Sequence, residues 1–149
     1  MKDILQDIVA HTHSLGFLSL VKVTGGDETT IDSMAEDRSV IMSATSNHSI
    51  AEGTFGMPNL EKLALHLKNP EYQKDAKIDV VQAERNGETI PTHIHFENAA
   101  GDFQNDYRFM NKAIIEEKLK TVKFKGAQWN VTISPSMAAI GRMKLMSAA

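Results

Sequence analysis

The chain has 149 residues, of which 42% are hydrophobic and 23% charged, with a formal net charge of −3 and a pI near 6.0. This composition excludes a disordered or fibrous protein, and the absence of cysteine excludes disulfides, thiol nucleophiles and thiolate metal sites. Because the chain is acidic overall, any contact with nucleic acid has to come from a local basic face.

The N-terminal segment predicts an amphipathic helix from Lys2 to Leu15, with Gly16 as a natural end. Its apolar positions recur at helical spacing and are Ile4, Leu5, Ile8, Val9 and Leu15. The first residues include acids and no long apolar stretch. They predict neither a secretory signal nor a membrane span, so we expect a cytoplasmic protein.

Short β-rich runs separated by polar clusters then predict the strands of a meander. These runs are Phe17 to Val23, Thr29 to Met34, Val40 to Thr45 and Ile50 to Phe55. A second helix is predicted after Pro58, with Asn59 as its N-cap and its end at Asn69-Pro70. Its apolar face consists of Leu60, Leu63, Ala64 and Leu67.

A β-hairpin is predicted around Asn86-Gly87, between Ile78 to Ala83 and Ile90 to Phe96. Since side chains alternate along a strand, the second strand should have one buried and one wet face. The buried face should hold Ile90, Thr92, Ile94 and Phe96, and the wet face Pro91, His93, His95 and Glu97. One more strand is predicted from Phe103 to Phe109.

The remaining segment predicts a lysine-rich connector, Lys112 to Gly126, followed by a strand and a helix. Trp129, Val131 and Ile133 alternate as in a strand, and Ser134 as N-cap with Pro135 at the first helical position predicts a helix from Ser136 to Ala148. One strand and one helix cannot bury their own apolar faces. We therefore expect this second unit to be completed by residues beyond 149.

This order of elements resembles the DNA sliding-clamp family, particularly the trimeric clamps of large tailed phages. The resemblance spans essentially the whole chain, and two departures from the family pattern concern its ends: the chain starts directly in a helix, and family subunits are longer. The segments that carry the resemblance are Met34-Ala35-Glu36-Asp37-Arg38-Ser39, the run Gly53-Thr54-Phe55-Gly56-Met57-Pro58-Asn59-Leu60-Glu61-Lys62-Leu63, the hairpin at Asn86-Gly87 and the strand Phe103 to Phe109.

The resemblance implies an α+β clamp fold with helices on one face of antiparallel sheets. It implies a complete first domain over residues 1–111, an interdomain connector over 112–127 and the start of a second domain over 128–149. It further implies a non-catalytic processivity factor without a cofactor. Such a factor forms a homotrimeric ring around duplex DNA, contacts phosphates without reading bases, and binds a DNA polymerase and a clamp loader beside the connector.

The same resemblance implies that basic side chains on the helices face the DNA. The candidates are Lys2, His13, Lys62, His66, Lys68, Arg142 and Lys144. Without the resemblance, an ordinary solvated helix face is the favoured explanation of these residues, and with the resemblance the two explanations are about equal. Arg142 and Lys144 are two residues apart and therefore do not share a helix face.

Two alternatives have different chemistry. His93 and His95, two apart on one strand with Glu97 on the same face, could bind a metal in a small cupin-like enzyme. Gly87, then five intervening residues and then His-x-His, echoes the first cupin motif, although the expected later glutamate and the second motif are absent. The other alternative is a structural module that assembles through sheet edges and has no role on DNA.

Overall fold

A computed structural model of the chain describes residues 1–120 and 125–148. Those residues form an α+β structure in which every paired strand is antiparallel. Seven strands make a four-stranded sheet of order β3-β2-β1-β4 and a three-stranded sheet of order β5-β6-β7. In chain order the elements are α1 Lys2–His11, β1 Val21–Gly25, β2 Thr29–Met34, β3 Ile41–Ser46, β4 Gly53–Met57, α2 Leu60–Lys68, β5 Lys77–Arg85, β6 Glu88–Glu97, β7 Gln104–Arg108, α3 Lys112–Lys118 and α4 Met137–Ser147.

Helix α1 buries four residues of the predicted apolar stripe, Ile4, Leu5, Ile8 and Val9. The fifth predicted residue, Leu15, lies beyond the α-helix and is 52% exposed. The α-helix ends earlier than predicted, because the buried Thr12 hydroxyl donates to the Ile8 carbonyl oxygen at 2.5 Å and the last turn becomes a 3-10 helix, His13–Leu15. Gly16 then takes a left-handed backbone with φ 87°. Gly16 is therefore the predicted end of the helical segment, although not of the α-helix itself.

The four-stranded sheet turns one face toward the helices. Strand β2 has the predicted bounds, whereas β1 begins at Val21 and not at Phe17. Alternation places the large apolar residues of this sheet on the inner face, where Val21, Val23, Ile31, Phe55 and Met57 are buried. The buried Ser33 hydroxyl among them donates to the Leu20 carbonyl oxygen at 2.6 Å.

Helix α2 packs beside α1 and buries the predicted face of Leu60, Leu63, Ala64 and Leu67. Asn59 occupies the N-cap position, but its backbone is left-handed with φ 51° and its side chain makes no capping hydrogen bond. Its carbonyl oxygen instead accepts from the Lys62 amide at 2.9 Å. The predicted position of the helix start is correct, and the predicted capping by the Asn59 side chain is wrong.

The hairpin turn is at Asn86-Gly87, where both residues have positive φ, as a tight two-residue turn requires. A β-bulge shifts the register so that Val81 pairs with His93 and Gln82 with Pro91, which leaves Thr92 without a partner across the strand. Because of this extra residue, the side chains of β6 before Thr92 point to the face opposite to the predicted one. Pro91 is therefore buried, and its predicted position on the wet face is wrong.

The two sheets are joined at one point, where Gly56 of β4 and Met110 exchange backbone hydrogen bonds of 2.8 Å. Helix α3, capped by the Asn111 side chain, packs on β4 through the buried Ile115. A Cβ at Gly56 would lie 2.9 Å from Ile115 Cδ1. Since Phe55 and Met57 point to the core, α3 lies on the opposite face from α1 and α2. The prediction of helices on one face only is wrong for α3.

The predicted strand from Trp129 to Ile133 is not formed, because no described strand lies beside it. Its alternating residues Trp129, Val131 and Ile133 are 74%, 75% and 78% exposed. Helix α4 begins after Ser136, whose hydroxyl oxygen accepts from the Ala139 amide at 3.1 Å. The predicted N-cap at Ser134 is therefore wrong by two residues. No helix within residues 1–120 and 125–148 is long and apolar enough to cross a membrane.

Replacing Gly56 with alanine should displace α3, because the new Cβ would lie about 3 Å from both Ile115 and Met110. We expect a loss of about 1–3 kcal/mol of unfolding free energy in urea titration. Truncating Ile115 to alanine in the same chain should make the Gly56→Ala change less costly. Gly26→Ala, whose Cβ meets no atom within 4 Å, is the matched control. A Gly56→Ala protein as stable as this control would contradict the docking of α3.

Candidate nucleic-acid interface

The paired helices α1 and α2 form a continuous surface over both sheets. Their buried stripes share one core with β1, β2, β4, β6 and β7. Between the helices lies a shallow groove of about 220 Å³, lined by Gln6, Val9, Ala10, Ser14, Ala64, Leu67 and Lys68. Four of the seven predicted DNA-facing residues lie on these two helices: Lys2, Lys62, His66 and Lys68.

Lys62 and Lys68 are the exposed lysines of this helix surface. The Lys62 ammonium donates to the Asp106 carbonyl oxygen at 3.3 Å, a single exposed hydrogen bond that leaves its charge near solvent. Acidic residues on the same two helices, Asp3, Asp7 and Glu61, offset these charges. The helix surface therefore attracts phosphates weakly, and it cannot hold DNA by affinity alone.

Lys2 has a structural role that its sequence position does not predict. Its ammonium donates to the Tyr72 carbonyl oxygen at 3.0 Å and to the Gln73 side-chain oxygen at 3.1 Å. These bonds tie the start of α1 to the 3-10 turn Pro70–Tyr72 that follows α2. Lys2 is thus directed toward the protein and contributes little charge to the surface.

His66 is not part of the polar helix face. Its ring packs on Phe96 with centroids 5.1 Å apart and meets Tyr72 edge-on at 6.4 Å. Burial lowers the pKa of His66 below the usual histidine value, and the charge of Lys62 lowers it further. His66 Nε2 is buried with no hydrogen-bond partner within the described part of the chain. A neutral ring therefore fits this position best.

The other three predicted DNA-facing residues lie apart from this groove or at its margin. His13 is half-buried in the 3-10 turn after α1. Arg142 and Lys144 are exposed on α4, two residues apart, so they point in different directions around the helix. Lys62, His66 and Lys68 are all on α2, but Lys62 reaches toward β7 and Lys68 lines the groove beside α1. The structure does not assemble the seven residues into one basic patch.

A second cluster lies on the outer face of the three-stranded sheet, where Asp106 of β7 faces both histidines of β6. His95 Nδ1 is 2.8 Å from Asp106 Oδ1, and His93 Nε2 is 3.7 Å from the same oxygen. The His95 hydrogen bond holds the pKa of Asp106 below its usual value, and the charge of His93 acts in the same direction. Sequence analysis missed Asp106, because only the strand register places it opposite His95.

Glu97, the third predicted metal ligand, is used differently. Its carboxylate forms an ion pair with Lys77 at 2.9 Å, and the Lys77 hydrogen bond lowers the pKa of Glu97. Its distance to His95 Nε2 is 3.9 Å. In residues 1–120 and 125–148 no three His, Asp or Glu side chains are grouped as a metal site requires. The polar groups of the outer cluster instead pair with neighbouring side chains, His95 with Asp106 and Glu97 with Lys77.

A second groove opens between α1 and the edge of the four-stranded sheet. It has a volume of about 180 Å³ and an apolar floor formed by Ile4, Ile8, Ile31, Met42 and Ala44. Asp7, His11 and His48 lie on its polar rim. The amphipathic pattern of α1 alone does not reveal this groove, because β3 has to lie beside the helix to form it.

No protein-family model matches the sequence, and no curated protein matches it.

Replacing His66 with phenylalanine should flatten the pH dependence of stability. Because the folded protein binds a proton at His66 less readily than the unfolded chain, this residue lowers stability as the pH falls below about 6.5 toward the depressed folded pKa. We expect His66→Phe to lose less unfolding free energy between pH 7 and pH 5 than the unchanged protein in urea titrations. Leu65→Phe, on the exposed side of α2, controls for the added ring. Parallel pH profiles for His66→Phe and the unchanged protein would contradict this account.

Replacing Asp106 with asparagine should remove the shared acceptor of the two histidines. Since the folded-state pKa of Asp106 is depressed, its stabilising contribution is present above about pH 4 and disappears as the pH falls through the folded value. The carboxylate is 40% exposed, so solvent screening limits the loss at pH 7 to about 1 kcal/mol or less. In thermal denaturation, the melting temperatures of Asp106→Asn and the unchanged protein should therefore converge at about pH 2, where carboxyl groups are protonated. Glu84→Gln, on exposed β5, is the control, and an Asp106→Asn effect that grows as the pH falls would refute the assignment.

Proposed function

We propose that this chain is part of a DNA sliding-clamp subunit, a non-catalytic processivity factor that surrounds duplex DNA and tethers a replicative polymerase. The observation that carries the proposal is the paired helix surface of α1 and α2, which lies over one face of two joined antiparallel sheets. A ring built from such units would have helices toward the DNA and sheets toward solvent.

The distribution of charge supports sliding in preference to tight binding. The helix surface has two exposed lysines, Lys62 and Lys68, and its three acidic residues, Asp3, Asp7 and Glu61, outnumber them. Ion-pair contacts to phosphates contribute affinity that falls steeply with salt. A protein with so few of them has to be retained by enclosure, and the same scarcity would let it move along the duplex.

The position of α3 supports the proposed connector. It begins at Lys112, directly after the last strand residues, and packs on the outer face of β4. A segment leaving the first domain would therefore start on the sheet side, away from the DNA, where a polymerase or clamp loader could reach it. The cupin-like alternative has no comparable support, because Glu97 pairs with Lys77 and no three His, Asp or Glu side chains in residues 1–120 and 125–148 are grouped as a metal site requires.

The proposal is tested by primer extension on a singly primed circular template with the replicative polymerase and the clamp loader encoded in the same genome. Added chain should lengthen the products made in a single polymerase binding event, which an excess of trap DNA enforces. Identical product lengths with and without the chain, under conditions where the polymerase is active, would refute the proposal.

Reversing the charge of the two exposed α2 lysines should reduce this stimulation of the polymerase without unfolding the chain. We expect the double change Lys62→Glu and Lys68→Glu to lower the stimulation several-fold near 100 mM salt, because two phosphate contacts become repulsive. The far-ultraviolet circular dichroism should stay unchanged. Lys74→Glu together with Arg85→Glu, two exposed positions outside the helix surface, is the matched control. An equal loss in both pairs would mean that the overall charge matters and the helix surface does not.

A further inference from the structure

The turn of the β5–β6 hairpin contains the one asparagine-glycine pair of the sequence, Asn86-Gly87. Both residues are exposed and have a left-handed backbone, with φ 53° and φ 80°. An asparagine followed by glycine is open to reaction with its own main chain, because glycine has no side chain to shield the amide nitrogen. We propose that Asn86 is the site at which this chain deamidates, and that the isoaspartate product opens the tip of the hairpin.

The reaction requires water as its only co-reactant. The Gly87 nitrogen attacks Cγ of Asn86, the bond from Cγ to Nδ2 breaks, and ammonia leaves with the proton of the Gly87 amide. The product is a succinimide ring, which water then opens. Cleavage of the bond between Cγ and the nitrogen gives aspartate. Cleavage between the nitrogen and the former backbone carbonyl carbon gives isoaspartate, whose main chain runs through Cβ and Cγ.

The two reacting groups are not engaged elsewhere in the described part of the chain. Neither the Asn86 side chain nor the Gly87 amide makes a hydrogen bond within residues 1–120 and 125–148. A Cβ at Gly87 would meet no atom within 4 Å, so open space surrounds the pair. The strand ends beside the turn are also exposed. Such an end opens locally with ease, which brings the Gly87 nitrogen to Cγ of Asn86.

The other seven asparagines of the sequence each lack one of these features. In four of them the side chain makes a hydrogen bond: Asn69, Asn98, Asn105 and Asn111. The remaining three precede residues with large side chains, which shield the following amide: Asn47, Asn59 and Asn130. Asn47 is the closest comparison, because it is exposed and is followed by histidine.

Isoaspartate at position 86 should break the turn and leave the core intact. A turn of this kind has two residues between the paired Arg85 and Glu88. One more carbon in the main chain removes that fit, so the strand pairs nearest the turn are lost. The loss should end at the β-bulge, where the Thr92 hydroxyl donates to the Val81 carbonyl oxygen at 2.9 Å. Beyond the bulge, β6 is held by its buried side chains.

Ageing of the purified chain in heavy-oxygen water at mildly alkaline pH tests the site. Peptide mapping by mass spectrometry should find a new carboxylate with one heavy oxygen at position 86, formed several-fold faster than at Asn47. An enzyme that methylates isoaspartate should label the same peptide. Asn86→Gly keeps a pair that suits the turn and should remain unlabelled there. A chain in which Asn47 or another asparagine reacts first, or in which Asn86 stays intact, would overturn the proposal.

Amide hydrogen exchange tests the opening of the hairpin tip. In the purified isoaspartate form, the amides of residues 84–89 should exchange several-fold faster than in the unchanged protein, and those of residues 93–96 should not change. Freshly prepared Asn86→Asp is the matched control, because it adds the same charge to a main chain of normal length and suits the same turn. Slow exchange in the isoaspartate form, or equally fast exchange in Asn86→Asp, would overturn the proposed opening.

Discussion

The structure depends on the burial of two helix stripes over two sheets at once. Helices α1 and α2 are each short, and neither sheet has strands enough to bury its own inner face. Because Leu5, Ile8, Leu63 and Leu67 contact one core together with residues of both sheets, the helices are held side by side on a single surface. Fully burying each such side chain contributes about 1.5–3 kcal/mol, which outweighs any single polar contact in the fold.

This arrangement determines where the polar chemistry can lie. His66, near the core, is held against aromatic rings and is best neutral, whereas His93 and His95 on the outer face share the carboxylate of Asp106. The helix surface is left with few uncompensated charges. A protein with such a surface has little affinity for DNA, so the proposed function has to rest on enclosure.

Sequence periodicity predicts the elements whose buried face follows from the regular spacing of their own apolar residues. It predicts the buried stripes of α1 and α2, the bounds of β2 and the turn at Asn86-Gly87. It was insufficient where a partner distant in sequence decides the outcome. Pro91 is buried because a β-bulge shifts the pairing of β6 with β5. Helix α3 forms in a lysine-rich segment because Ile115 packs against Gly56, which has no side chain. The alternation of Trp129, Val131 and Ile133 is typical of a β-strand. A strand forms only where its backbone can pair with a neighbouring strand, and no described strand lies beside these residues.

The candidate site was predictable to a similar extent. Lys62 and Lys68 lie on an exposed helix face, as their spacing predicts, while Lys2 is engaged by carbonyl oxygens of a turn 70 residues away. His66 directly precedes Leu67 of the apolar stripe, and its burial depends on Phe96 in β6 of the three-stranded sheet. Asp106 becomes the partner of two histidines only through the register of β6 and β7.

The central claim, retention on DNA by enclosure with the helix surface inward, is tested most directly by comparing circular with linear DNA. The chain is loaded on nicked circular duplex by the clamp loader of the same genome, and its elution with the DNA is followed by gel filtration at moderate salt. The account predicts co-elution with the circle and release after a restriction enzyme makes a single double-strand cut. Equal retention on circular and linear DNA would show that surface affinity holds the protein, and it would contradict the account.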